Sequence, residues 1–121
     1  MVIAYWIVAG LLALFYLYSG GIKAVRSKDT LRPMMAWVDS MPLGAVRTIG
    51  ILEVLGAIGL ILPPLTHIAP WLALAAAIGL VLVQVGGLTL HLRRGETRVI
   101  GLNIGLLVLA AVAAWLATVW L

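Results

Sequence analysis

The stretch Gly44–Leu62, GAVRTIGILEVLGAIGLIL, is almost continuously apolar and carries one acidic residue, Glu53. Its length is close to the roughly 20 apolar residues an α-helix needs to cross a bilayer. Three more stretches read the same way, so spans are expected over about residues 2–22, 44–62, 70–91 and 99–121. The chain has 121 residues, of which 64% are hydrophobic and 10% charged, with a mean hydropathy of +1.21. A water-soluble domain of this size cannot hide so much apolar surface, because small domains leave a large share of their surface exposed. The expected fold is an all-α integral membrane protein: one four-helix transmembrane bundle, residues 1–121, with a short interfacial segment between the first two helices.

The links set the topology. Lys23, Arg26, Lys28, Arg32 and Arg47 lie between the first two spans or at their edges, and Arg93, Arg94 and Arg98 lie between the third and fourth. Four spans put both links on one side, and the positive-inside rule makes that side cytoplasmic. Both termini and the link Pro63–Pro70 are then expected outside. Tyr5, Trp6, Trp71, Trp115 and Trp120 fall near that outer interface, where aromatic rings settle. A net charge of +4 is thus read as orientation, with no nucleic acid implied. Six Arg against two Lys in an Ala-, Leu-, Gly- and Val-rich chain suggest a GC-rich bacterial genome, and the expected location is then the bacterial plasma (inner) membrane. Met1–Ala4 has no basic n-region, so the first span is read as a retained helix rather than a signal peptide.

Local signals refine the picture. In the polar connection Lys23–Leu43, the run Pro33–Val38 reads either as a short interfacial helix with Pro33 in its first turn or as an irregular loop held at the headgroups by Trp37. The second helix is expected to stop at Pro63-Pro64, and Pro70 to open the third. Gly101 and Gly105, Ala73 and Ala77, and Ala110 and Ala114 are spaced for close helix approach. Packing inside the bundle is preferred for them over a dimer.

Glu53 is the first candidate for function. It lies about 13 Å along its helix at 1.5 Å per residue. A charge at such depth costs about 3 kcal/mol or more, so it must be paired, protonated or wet. Gly50, Gly56 and Ala57 on the same face would let another helix press against it. Polar residues on the other spans lie at matching depth. Tyr16, Ser19 and Lys23 form one stripe, Gln84 and His91 another, and Asn103 sits early in the fourth span. Lys23 has a stem long enough to reach inward. The expected site is a buried polar cluster of Glu53, Lys23, Gln84, His91 and Asn103 with Tyr16 and Ser19. Arg26, Lys28, Arg32, Arg47, Arg93, Arg94 and Arg98 form a basic cytoplasmic face. The plainer alternative is that these polar residues only hold the helices in register. His91, followed by Arg93 and Arg94, also reads as a solvated boundary residue.

Other chemistry is narrowed by what the sequence omits. There are no cysteines, hence no disulfide, thiol nucleophile or thiolate-held metal in this chain. His67 and His91 fall at opposite ends of the spans, so no metal site is expected. No phosphate loop, nucleophile elbow or paired-carboxylate arrangement is present.

Ser19-Gly20-Gly21-Ile22-Lys23, Ile51-Leu52-Glu53-Val54-Leu55-Gly56-Ala57, His91-Leu92-Arg93-Arg94-Gly95-Glu96 and Asn103, in this order and spacing, resemble the DoxX-like family of small four-helix membrane proteins. The resemblance implies a membrane partner of redox or oxidative-stress proteins, and it points to Lys23, Glu53, His91 and Asn103. It implies no cofactor held by the chain itself; a quinone, or a partner's cofactor, would have to supply any redox chemistry. Three readings follow. The chain is a non-catalytic accessory subunit of a larger, redox- or quinone-linked membrane complex. Alternatively, it binds quinone or another small amphipathic molecule on its own. The third, a small proton-coupled exporter, ranks last, because exporters of similar size carry their essential carboxylate in the first helix, and here that helix has no acidic residue.

Overall fold

The computed structural model describes the backbone of residues 1–121 and every side chain except those of Arg98 and Val99. Five α-helices follow in order: α1 (Val2–Val25), α2 (Lys28–Leu31), α3 (Leu43–Thr66), α4 (Leu72–Arg94) and α5 (Thr97–Leu116). Short 3-10 turns occupy Ala36–Ser40 and Ala117–Trp120. α1, α3, α4 and the Ile100–Trp120 segment are long and apolar enough to span a membrane. Their outward faces carry large apolar side chains, among them Ile7, Leu14, Leu55, Leu82 and Val108, all more exposed than buried neighbours could allow in water. Lipid is the solvent that accommodates them.

Around the bundle α1 packs on α3, α3 on α4, α4 on α5, and α5 closes the ring on α1 over the smallest of the four interfaces. The interior has three layers. One half is apolar, built from Ala9, Leu12, Ala57, Ala77, Leu80 and Ala110 with their neighbours. The opposite end is closed by Leu31, Trp37, Val38 and Val46. Between them lie the buried polar residues Ser19, Lys23, Glu53, Gln84, His91 and Asn103.

Helix boundaries depart from the sequence expectation in instructive ways. α1 runs through Gly20-Gly21 to Val25, one turn beyond the expected end. Its glycines are a packing device rather than a stop. A Cβ on Gly20 would sit 2.6 Å from the Gly50 carbonyl oxygen, and one on Gly50 would sit 2.6 Å from the Gly20 oxygen and 2.8 Å from the Ala24 nitrogen. The two backbones touch there, as only glycine allows. α3 likewise continues through Pro63 and Pro64 to Thr66. Pro64 cannot donate to the Leu60 carbonyl four residues earlier. The Tyr5 hydroxyl donates to that carbonyl instead, at 2.5 Å, and ties the start of α1 to the end of α3. The helix ends at His67, which takes a left-handed conformation with φ 58°. Pro70 falls in the following turn, and α4 starts at Leu72. α5 starts two residues earlier than expected and tightens into a 3-10 turn before its end.

The connection after α1 is neither of the expected forms. Its 3-10 turn begins at Ala36 rather than Pro33, and Trp37 and Val38 are buried against the bundle. Ser27 caps α2 by accepting from the Thr30 amide at 3.3 Å. Arg32 clamps the segment, donating to Asp29 at 2.8 Å and to Asp39 at 2.7 and 3.0 Å. The Arg32 guanidinium holds the Asp39 carboxyl below its ordinary value. Of the small-residue pairs, Ala73 and Ala77 are fully buried, as is Ala110. Gly101 and Gly105 face outward with nothing within 4 Å of an added Cβ, so they do not pack inside the bundle. The inward register on α5 is instead Asn103, Leu106, Ala110 and Ala113.

The glycine contact makes a sharp test. Gly50→Ala is expected to destabilise the bundle by about 1–3 kcal/mol, the usual cost of overpacking. Gly10→Ala, where an added Cβ meets nothing within 4 Å, is expected to be neutral or to stabilise by up to about 1 kcal/mol. Unfolding of both variants in mixed micelles, followed by circular dichroism, compares them. Equal stability of the two would mean that the close approach is not required.

Candidate functional site

The buried polar layer is built on the α1–α3 contact. Because Gly20 and Gly50 bring the backbones together, Ser19 and Lys23 on α1 face Glu53 on α3 directly. Lys23 Nζ forms an ion pair with Glu53 Oε1 and donates to Ser19 Oγ at 3.1 Å. Ser19 Oγ in turn donates to Glu53 Oε2 at 3.1 Å. The side chains of Lys23 and Glu53 are only 10% and 2% exposed. The pair is therefore neutral as a unit, which removes most of the cost of carrying either charge into the bundle. Lys23 Nζ also lies 5.4 Å from the centre of the Trp37 ring, a cation–π contact that the folded-back connection supplies.

A second group lies one layer further into the apolar half. Gln84 Nε2 donates to Tyr16 Oη at 2.6 Å, and Asn103 Nδ2 donates to Gln84 Oε1 at 2.9 Å. This chain of neutral bonds links α1, α4 and α5. The third group sits at the end of α4. Gly95, with φ 71°, closes the helix as its amide bonds back to the His91 and Leu92 carbonyls, the turn that lets a chain reverse after a helix. That reversal brings Glu96 back to His91, with Nδ1 and Oε1 3.2 Å apart, and to Arg94 Nε at 2.7 Å. Burial pushes the Glu96 carboxyl up, but the bonds to Arg94 and His91 outweigh it and hold it below its ordinary value. Arg94 also donates to Ser40 Oγ, which ties the two polar links to each other at one end of the bundle.

All of these groups border one cleft. A space of about 300 Å³ opens between α3 and α4, with Lys23, Glu53, Gln84, His91 and Asn103 on its polar side and Ile49, Leu82 and Leu90 among its apolar walls. A smaller space of about 160 Å³ reaches the same polar residues from the α1–α5 side, past Phe15, Met35 and Leu106. Several polar atoms have capacity left over. Asn103 and Gln84 each keep a second amide hydrogen, and His91 Nε2 makes no bond among the described residues. Such a floor can hold a carbonyl-bearing polar head by donated hydrogen bonds, while the walls take an apolar ring.

Of the residues singled out in the sequence, Lys23, Glu53, Gln84, His91 and Asn103 line one space, Ser19 lines only the smaller one and Tyr16 lies behind Gln84, and together they form three bonded groups rather than one. His91 pairs with Glu96, not with Glu53, and it is buried instead of solvated at the boundary. Glu96, Ser40 and Trp37 were not anticipated as neighbours. Glu96 had a signal, since a glycine closing a helix folds the next residue back over it. Ser40 and Trp37 had none, because their contacts come from a connection whose path the sequence does not fix. The basic residues are less alike than they look in sequence. Arg47 Nη1 donates to the Lys23 and Arg26 carbonyls at 2.9 and 2.5 Å, and so caps the open end of α1. Lys28 donates to the Met41 carbonyl at 2.7 Å, and Arg32 and Arg94 are paired as described. Arg26 and Arg93 are exposed and make no side-chain bond among the described residues; the Arg98 side chain lies outside them.

Removing one partner of a buried pair strands the other, at a typical cost of 3–5 kcal/mol. Lys23→Met is expected to destabilise the bundle by about that amount, and adding Glu53→Leu is expected to recover most of the loss. Thermal unfolding of the single and double variants in the same detergent makes the comparison. A single variant as stable as the parent would show that the ion pair does not neutralise Glu53.

Comparison with known proteins adds the last element. No characterised protein and no solved structure matches the chain significantly. The sequence profile of the DoxX-like family matches residues 7–113, a range that takes in α3, α4 and the whole polar layer, and the chain therefore belongs to the DoxX-like family.

Proposed function

We propose that the protein binds the polar head of a small amphipathic molecule of the quinone class in the cleft beside Glu53. The observation that supports this reading is a polar floor with spare hydrogen-bond donors beneath apolar walls, in a space of about 300 Å³. Ligand sites have this composition: a mostly apolar lining with a few placed polar groups. The Lys23–Glu53 pair serves as the fixed, neutral anchor of that floor, and Gln84 and Asn103 offer the donors. Asn103→Leu removes a donor at a cost of about 1 kcal/mol in helix association. It is expected to weaken binding of a short-chain benzoquinone about tenfold, or 1.4 kcal/mol; Glu53→Gln is expected to weaken it at least as much. Equilibrium binding to protein in lipid nanodiscs, set against empty discs, measures both. Wild-type protein that retains no more quinone than empty discs would defeat the proposal.

A second reading, that the chain works as an accessory subunit of a larger redox-linked complex, is favoured by one observation. Arg26 and Arg93 stand exposed at the end where both polar links meet. A basic surface of this kind attracts an acidic partner protein or anionic headgroups. Under the positive-inside rule this end faces the cytoplasm, in a bacterial plasma membrane. Isolation from the native membrane in mild detergent is expected to bring a partner down with the wild type, and less of it with Arg26 and Arg93 both changed to Gln. Labelling of a single Cys placed at Arg93 by an impermeant maleimide added to intact cells would reverse the orientation.

A further inference from the structure

A second groove borders the cleft. It lies between α3 and α4, holds about 490 Å³, and is walled by Leu52, Leu55, Gly79, Leu80, Leu82 and Val83, with no polar side chain. The polar floor therefore lies next to an apolar groove on the outer face of the bundle, with Leu82 and Val83 bordering both. Between Ala76 and Val83 the groove covers roughly 10 Å of α4 at 1.5 Å per residue.

Glycines keep this path open. A Cβ added to Gly79 in the groove, or to Gly86 in the cleft, meets nothing within 4 Å. The neighbouring contacts are tight by comparison. A Cβ on Gly56 would sit 2.8 Å from Leu80 Cδ2, and one on Gly59 would sit 2.8 Å from Ala76 Cβ. α3 and α4 thus close on each other at Gly56 and Gly59 and leave the groove beside that contact. Leu82 and Gly79 are exposed on the bundle surface, so the groove faces hydrocarbon, not water.

We infer that the ligand of the cleft is a tailed, membrane-dissolved molecule that enters sideways between α3 and α4, with its head against Gln84 and Asn103 and its hydrocarbon chain in the groove beside Leu52, Leu55 and Gly79. The inference rests on the head-binding reading above and adds the class of molecule and its route. A water-soluble ligand would gain nothing from an all-apolar extension of its site. A tailed one keeps its chain in an apolar setting throughout and pays only for moving its head.

Two probes separate the parts: dimethoxy-methyl-benzoquinone without a tail, and its decyl-tailed analogue, each titrated against protein in phosphatidylcholine nanodiscs. Gly79→Phe fills the groove and leaves the floor intact. It is expected to weaken the decyl probe at least about tenfold and the tail-less probe by less than about twofold. Gly86→Phe, which fills the cleft, is expected to weaken both. Wild-type-like affinity of Gly79→Phe for the decyl probe overturns the inference and leaves the head site standing. Failure of the unaltered protein to bind either probe overturns both. Should Gly79→Phe fold poorly, the unaltered protein decides the matter with a decyl probe that carries a terminal diazirine. Photolabels are expected on Leu52, Leu55 and Ala76. Labels spread over all lipid-facing helices, or confined to α1 and α5, overturn the inference.

Discussion

A carboxylate in the middle of a hydrocarbon layer has to be neutralised where it stands, and the rest of this protein is arranged around that requirement. Glu53 meets it through Lys23 and Ser19, both on the neighbouring helix. The contact requires two helices closer than ordinary side chains permit, and Gly20 and Gly50 supply the missing space. It also requires α1 to remain helical past Gly20 and Gly21, so that Lys23 stays in register with Glu53. Local propensity would end the helix there. In lipid an open backbone has no water to bond with, which favours continuing the helix, and the fit against α3 holds it in place.

The two ends of the bundle solve a related difficulty, namely backbone groups left without partners. At one end Arg47 satisfies carbonyls at the end of α1. At the other, Tyr5 satisfies the carbonyl that Pro64 orphans, while its ring packs edge-on against Trp6 and Trp120 at 5.5 and 5.4 Å. Each device uses a side chain from one spanning helix to complete the backbone of another. Helix packing and backbone satisfaction are therefore coupled at both ends.

The proposed function rests on what the neutralised pair leaves unoccupied. With its charge settled inside the α1–α3 contact, the floor of the cleft presents neutral donors and one compensated pair. That suits a polar but uncharged head better than a free ion, which would have to leave its own hydration behind. The DoxX-like family places the chain among membrane proteins, and the cleft and its groove describe what such a protein could hold.

The sequence alone determined that the chain crosses a membrane four times, because length and apolar content are additive along the chain and need no knowledge of contacts. It also marked Glu53 as a problem and Lys23 as one of several residues able to answer it, since charge and depth are both readable from position. It could not divide the polar residues into three bonded groups, send His91 to Glu96, or fold Trp37 beneath the bundle. Those choices depend on helix rotation and on the path of a connection. Hydropathy does not encode either, because apolar residues lie on every face of these helices. The helix ends were misplaced for the same reason. Gly20-Gly21 and Pro63-Pro64 read locally as stops, and only a packed neighbour, Gly50 in one case and Tyr5 in the other, turns them into continuous helix.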